Sequence, residues 1–407
     1  MAKLSSITHH NHLCLIRSPL LHFSSSLKRY DQLRFSPPCP GMITRITTFA
    51  TTLKVTPSDT QSKTSELGND VSSLSWDNLG FDHVPTDYMF VMKCCGGDKF
   101  SDGELKTFGE IELNPFSSVL NYGQGIIENM KAYKKDDGSI LLFRPEANAL
   151  RMTMGADRMC MPAPTFDQFL EAVKVTVSAN RRWIPPPNKG FLHIRPLLIG
   201  SGPVLILTPS PEFTFLIYVT PVRNYFESGV EPINLVVEKE AHRAVPGGVG
   251  SIKAIGNYAM IVKAQAAAKA NGFHGVLYLD AVHNKYLEEV SAANIFVVKD
   301  KTICTPALRG TILPGITRES VIDIARNLRF QVEEGRVSVE ELFNADEVFC
   351  TGTAVGLLPV GSITYQGKRL SYKNGGLGTV SQKLSSELTN MQMGLTDDKM
   401  GWNMVLK

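Results

Sequence analysis

From residue 88 onward, runs of branched and aromatic residues alternate with stretches whose apolar positions recur every three or four residues. The runs at 88–93, 141–144, 192–199 and 213–219 are bounded by turn-forming residues and predict strands. The periodic stretches predict helices over 146–159 and 166–183. Thr165 precedes the second helix and Gln168 follows three residues later, which is the capping-box spacing. Pro185, Pro186 and Pro187 end that segment, because proline cannot continue the hydrogen-bond ladder. Beyond them the pattern predicts strands at 233–238, 276–280, 294–299 and 347–351, and helices at 257–271, 317–328 and 379–391. Residues 223–231 lie between the two series and read as an interdomain crossing. No internal repeat is visible. The expectation is an α/β (α+β) fold of two domains, a smaller one over 76–222 and a larger one over 232–407, with sheets of mixed direction.

The first 75 residues do not share this pattern. Residues 1–58 are rich in Ser and Thr and hold seven of the 42 Lys and Arg but one of the 39 acids, the composition of an organelle transit peptide. His9, His10, His12 and Arg17 interrupt the apolar core that a secretory signal would need. Residues 59–75 read as a polar linker. With the leader set aside the body carries a net charge of −3, poor material for a nucleic-acid binder. The most apolar stretch, 191–207, is broken by His193, Arg195, Pro196 and Gly200, so no membrane span is expected. Seven scattered cysteines form neither a disulfide framework nor a metal-ligand spacing, and no metal is expected.

Candidate chemistry gathers in a few windows. In HRAVPGGVGSIKAIGNYA, 242–259, Lys253 follows a glycine turn that could hold its amine in a cleft, partly desolvated, as Schiff-base chemistry requires. The glycines match no nucleotide fingerprint. Leu313-Pro314-Gly315-Ile316-Thr317-Arg318 runs from a loop into a helix whose first N–H groups could bind phosphate. Thr351-Gly352-Thr353-Ala354 closes a strand with small hydroxyl residues, a second place for an anion. Glu289 precedes a strand and could hold a ring nitrogen protonated if buried. Arg144 ends an apolar run, where an arginine must be paired or bind an anion. Tyr258, five residues after Lys253, is a core aromatic or a donor to a phenolate. Each feature alone has an ordinary structural reading; together they form the inventory of a pyridoxal-phosphate site.

The windows LNYGQG (120–125), LLFRP (141–145), ADRMCMP (156–162), IRPLLIGSG (194–202), PGGVGSIKAIGNYA (246–259), YLEEVS (286–291), GTILPGITR (310–318) and ADEVFCTGTAV (345–355) make residues 76–407 similar to plant branched-chain-amino-acid aminotransferases, of fold-type IV. The resemblance implies pyridoxal 5′-phosphate as cofactor and Lys253 as the residue that bonds to it and later moves a proton between the substrate Cα and the cofactor C4′. It implies Glu289 at the pyridine nitrogen, Arg144, Ile316, Thr317 and Thr353 around the phosphate, and Tyr258 at the phenolate. Arg195 would receive the side-chain carboxylate of glutamate, and Thr353 and Ala354 the α-carboxylate. Tyr122 would reach a neighbouring subunit in a homodimer. The implied substrates are leucine, isoleucine, valine, their 2-oxo acids, and the glutamate/2-oxoglutarate pair, exchanged by a ping-pong mechanism. The leader then points to the chloroplast, with the mitochondrion as the alternative.

The substrate wall departs from that family's pattern. His193 stands where relatives carry a tyrosine, Ile127 replaces a phenylalanine, and Asn129 a glycine. Ile206, Val249, Ser251 and the run Gly356-Leu357-Leu358 are further departures. Two alternatives follow: a related transaminase acting on methionine-derived 2-oxo acids, and a catalytically weak cofactor-binding paralogue.

Overall fold

The computed structural model describes residues 71, 74–80, 82–96, 99–223, 231–372 and 378–407. The predicted leader, most of the linker and most of the 223–231 crossing lie outside those residues. The first sheet contains β1 (Tyr88–Cys95), β2 (Glu104–Thr107), β3 (Gly125–Ile127), β4 (Met130–Lys134), β5 (Ile140–Phe143), β6 (Phe191–Gly200) and β7 (Glu212–Val222). The strand Asn403–Leu406, near the end of the chain, pairs with β5, and the order continues through β4, β6, β7 and β1 to β2. β3 pairs with the far half of β6. Every pairing described in this sheet is antiparallel, contrary to the mixed direction expected. The links explain it: 135–139 and 201–211 allow a reversal but not the crossover that a parallel pair requires.

Alternation along β6 separates a core face from a site face. Leu192, Ile194 and Leu198 are buried, whereas His193, Arg195 and Leu197 are half-buried on the opposite side. A slip of one residue would exchange the two sets. Helices α1 (Ser118–Tyr122), α2 (Pro145–Arg158) and α3 (Phe166–Ala179) accompany this sheet. Phe169, Val173 and Val177 of α3 are buried with Phe215, Ile217 and Val219 of β7. Each such side chain stabilises the fold by about 1.5–3 kcal/mol. The capping box at Thr165 and Gln168 is formed. The helix ends at Ala179, not at 183, because Asn180 turns its amide to the backbone of Asp87, Tyr88 and Thr176. A short 3-10 turn, Arg181–Trp183, follows.

The second sheet contains β8 (Ile233–Val237), β9 (Gly275–Leu279), β10 (Leu287–Val290), β11 (Ala293–Lys299), β12 (Thr302–Pro306), β13 (Gln331–Gly335), β14 (Glu347–Gly352), β15 (Gly356–Tyr365) and β16 (Lys368–Ser371). Its order is β10-β9-β8-β15-β14-β11-β12-β13, and β10 also pairs with β11, so β8–β11, β14 and β15 close into a ring. Here direction is mixed: β8 runs parallel to β9 and to β15, and β12 to β13. Leu235, Leu277, Ile295, Val348 and Val360 belong to one core. Phe296 and Phe349 stack with ring centroids 4.9 Å apart, within the core that β11 and β14 share with α5 (Ile316–Asn327) and α6 (Thr379–Met393). The remaining helix, α4 (Gly256–Ala270), starts three residues after Lys253.

The two sheets meet beside that lysine. Ile127 of β3 donates its N–H to the Lys253 carbonyl at 3.1 Å, and Ile255 donates to the Gly125 carbonyl at 3.1 Å. Ile126 and Ala254 thereby form a bridge outside either sheet. This fastens the Lys253 backbone to the first sheet, while α4 and its neighbours belong to the second.

Candidate active site

A cavity of about 1020 Å³ opens between β3, β6, the Lys253 turn, β10 and the loops before α5 and after β14. Of the residues singled out from the sequence, Lys253, Tyr258, Glu289, Ile316, Thr317, Thr353, Ala354, Ile127 and Arg195 all line it. The Lys253 amine donates to the Tyr258 hydroxyl at 2.9 Å, from a position one turn before the tyrosine. Both side chains thus present polar ends to the same space.

Glu289 reaches the cavity from β10 and is 2% exposed. Its carboxylate accepts the Leu313 N–H and faces the Arg243 guanidinium at 3.3 Å. Burial pushes its pKa up to about 7, against the opposing pull of Arg243 and the Leu313 N–H. The register of the β10–β11 hairpin places Asn294 opposite Glu289, and Asn294 donates its amide to the Leu313 carbonyl at 3.0 Å. Gly315 must be glycine here, since a Cβ would lie 2.0 Å from the Asn294 side-chain oxygen. That close approach starts α5, so the first N–H groups of the helix, at Ile316 and Thr317, lie at the cavity wall. Thr353, in the turn between β14 and β15, lies at the same wall.

The arginine of this region is not the one expected. Arg144 does not line the cavity. It stands between β5 and α2 in a left-handed conformation, φ 49°, and its guanidinium bonds to Ser320 at 2.9 Å and Glu319 at 3.1 Å while lying over the Trp402 ring. Arg151, two turns along α2, does line the cavity. Two of its nitrogens hold Glu128, at 2.8 and 2.6 Å, and Nη1 donates to the Pro314 carbonyl at 3.0 Å, just before the N-terminus of α5. The signal was present in the sequence: Asn148, Arg151, Met152 and Gly155 fall on the buried stripe of α2, and a charge on such a stripe needs a partner. Arg243 was also passed over, and nothing in its spacing distinguishes it from a surface arginine.

The departures from the family pattern separate in space. Ile127 and Asn129 line the cavity, and the Asn129 side-chain oxygen is buried with no hydrogen-bond partner among the described residues. Arg195 lines the cavity as well, and its buried Nε has no hydrogen-bond partner among the described residues. His193, expected at the substrate site, shares its face of β6 but does not line the cavity; burial and the charges of Arg195, Lys131 and Lys253 lower its pKa to about 3, so the imidazole is neutral at working pH. Lys131, in register with His193 on β4, has its amine 4.1 Å over the Phe191 ring. Ile206 is exposed in the loop after β6. Tyr122 does not line the cavity; it is 41% exposed and donates its hydroxyl to the Leu205 carbonyl.

The arrangement suits a ring compound with four handles. An amine stands ready for a carbonyl carbon, a tyrosine hydroxyl for a phenolic oxygen, a buried carboxylate for a ring nitrogen, and a helix N-terminus with Arg151 for a phosphate. The buried Thr351 hydroxyl, a further lining group without a partner, is consistent with a ligand occupying this end.

Comparison with known proteins agrees with this geometry. Residues 125–363 match the family described as amino-transferase class IV. The chain is 64% identical over 349 residues to branched-chain amino acid aminotransferase 2, chloroplastic, of Humulus lupulus, covering 86% of this chain and 85% of that protein. It is 56% identical over 388 residues to branched-chain-amino-acid aminotransferase 5, chloroplastic, of Arabidopsis thaliana, covering 95% and 93%. Among solved structures, the T.th. branched-chain amino acid aminotransferase with pyridoxamine 5′-phosphate superposes with a TM-score of 0.68 at 26% identity, covering 79% of this chain and 99% of that one.

Proposed function

This chain belongs to the class IV aminotransferases, and from that premise we propose that it exchanges the amino group between leucine, isoleucine or valine and 2-oxoglutarate, with pyridoxal 5′-phosphate as cofactor. The observation that carries the reading is the convergence of the Lys253 amine, the Tyr258 hydroxyl, the Glu289 carboxylate and the α5 N-terminus on one cavity. When bound, the cofactor supplies an electron sink for the bond broken at the substrate Cα. The protein's own groups do the rest. Lys253 holds and moves the proton at that carbon, and its contact with Tyr258 aims the amine into the cavity. Glu289 offers a buried carboxylate to the ring nitrogen and favours its protonated state. Arg151 takes the place first given to Arg144 beside the phosphate, with Ile316, Thr317 and Thr353.

One pocket must accept alkyl and carboxylate side chains in turn. Among the cavity's lining residues Ile127, Val355 and Leu358 offer apolar surface, and Arg195 is the cation assigned to the substrate side chain. A glutamate carboxylate pairs with Arg195, and an alkyl chain lies on the apolar side. Thr353 and Ala354 are assigned to the α-carboxylate. His193, being neutral, can give a hydrogen bond but no charge.

The leader composition and the chloroplastic relatives assign the chain to the plastid. The division into halves 76–222 and 232–407 belongs to the same proposal. So does a homodimer: Phe116, Leu120 and Tyr122, in and before α1, and Leu205, Ile206 and Leu207, in the loop after β6, are all exposed, and a backbone bridge between Ser117 and Pro203 joins the two segments. A second reading, in which methionine-derived 2-oxo acids are preferred, rests on Ile127 and His193; of the two, Ile127 lines the cavity.

The test is spectroscopic. Protein without the leader, purified with its cofactor, should be yellow, and leucine and glutamate should each convert the absorbance to the amine form. Faster conversion by methionine than by leucine would favour the second reading, and no conversion by any of them would overturn the transaminase reading.

A further inference from the structure

Arg243 lies ten residues before Lys253, and its side chain is 3% exposed. Its Nη1 stands 3.3 Å from Glu289 Oε1, 3.3 Å from the Thr311 carbonyl and 3.4 Å from the Gly250 carbonyl. These acceptors belong to separate pieces of the site. Glu289 is on β10, Thr311 is in the loop between β12 and the N-terminus of α5, and Gly250 is in the turn that carries Lys253. The pieces are pressed together: a Cβ on Gly250 would meet both the Ala244 Cβ and the Thr311 carbonyl at 2.4 Å. Glu288, the next residue to Glu289 on β10, takes the Thr311 hydroxyl at 2.5 Å. The Thr311 residue therefore joins both carboxylates of the strand, one through its hydroxyl and one through Arg243.

A buried carboxylate with no cation nearby goes neutral, and a neutral acid does not hold a ring nitrogen in its protonated form. The Arg243 Nη1 gives its two N–H groups to the Thr311 and Gly250 carbonyls, and these hold the guanidinium charge beside the Glu289 carboxylate. We propose that Arg243 is a positioning residue for the reaction: it keeps Glu289 a carboxylate aimed at the cofactor's ring nitrogen and ties the Lys253 turn and the α5 loop to it. The assignment rests on the cofactor reading above. Arg243 touches neither cofactor nor substrate; it acts through Glu289, Gly250 and Thr311.

The test uses the holoenzyme loaded with cofactor carrying ¹⁵N in the ring, so that NMR reports the protonation of that nitrogen directly. In the wild type the signal should be that of a protonated ring. In Arg243→Met it should move toward the unprotonated value, and kcat with leucine should fall about 100-fold with KM changed by less than about threefold. Arg243→Lys keeps a charge but not the Nη1 that reaches both the Thr311 and the Gly250 carbonyl, so its nitrogen signal and kcat should fall between the two. Should the methionine variant fail to fold, the lysine variant decides on the same readouts. Variants that fold and match the wild type in nitrogen signal and kcat overturn the assignment of Arg243 alone. A wild type that binds no cofactor overturns the cofactor reading together with it.

Discussion

Arg151 and Glu128 meet through two parallel hydrogen bonds, 2.8 Å from Nε and 2.6 Å from Nη2, with both side chains almost wholly buried. Glu128 adjoins β3, Arg151 is inside α2, and the third arm of the guanidinium reaches the Pro314 carbonyl before α5. The pair thus fixes an arginine at the end of the cavity assigned to phosphate. Arg151→Lys keeps the charge and loses the fork, so its Kd for the cofactor should rise about 10–100-fold. Arg144→Met loses contacts with Ser320, Glu319 and Trp402, so it should lower the melting temperature while leaving cofactor Kd within about threefold. Fluorescence titration of the cofactor-free proteins separates the two arginines, and the reverse order of effects would restore the phosphate to Arg144.

Arg195 lines the cavity together with Ile127 and Asn129 and is the cation proposed for the glutamate side chain. Arg195→Gln should lower kcat/KM for glutamate about 30-fold or more, since a desolvated carboxylate loses its charged partner. The leucine value should change by less than about threefold, because an alkyl chain makes no use of the charge. Single-turnover rates for both amino acids check the split, and equal losses would mean that Arg195 serves the α-carboxylate instead.

Lys131 gives a pH signature in stability. Its amine donates to the Tyr133 hydroxyl at 3.4 Å, and among the described residues no acid pairs with it. Burial lowers its pKa from 10.5 to about 7. Between those values the unfolded chain binds a proton that the folded chain does not, so this group makes stability rise as pH rises through the window. Lys131→Met should therefore be more stable than the wild type at pH 7, with the gap closing as pH nears 10.5. Chemical denaturation across that range reads the difference, and a constant gap would show that the amine is not held out of water.

Glu289 has the opposite sign. In the cofactor-free protein its pKa is raised from 4.5 to about 7, so between those values the folded chain holds a proton that the unfolded chain has lost. Its contribution to stability is complete below 4.5 and is lost as pH rises to about 7. Glu289→Gln should remove this slope, and thermal melts of the two cofactor-free proteins at several pH values will show whether it does.

Much of the site was legible in the sequence because its signals are local. The Thr165 and Gln168 cap, the proline-glycine entry to α5 and the glycine turn before Lys253 each need only neighbouring residues to be recognised. What escaped depends on residues distant in the chain. β3 is three residues long and exists because β6 and the Lys253 turn supply its partners. Arg144 and Arg151 are seven residues apart, and only the packing of α2 shows which of them enters the cavity. Arg243 gains its role from Glu289 and Thr311, 46 and 68 positions further on. The first sheet is antiparallel rather than mixed because its links at 135–139 and 201–211 are shorter than a parallel crossover requires.

The central claim is that the Lys253 side chain makes a covalent bond to the cofactor aldehyde. Borohydride reduction of the yellow holoenzyme, followed by proteolysis and mass mapping, tests it directly. The account predicts a reduced phosphopyridoxyl group on the peptide containing Lys253 and on no other, and its absence from that peptide, or its appearance on a different lysine, would contradict it.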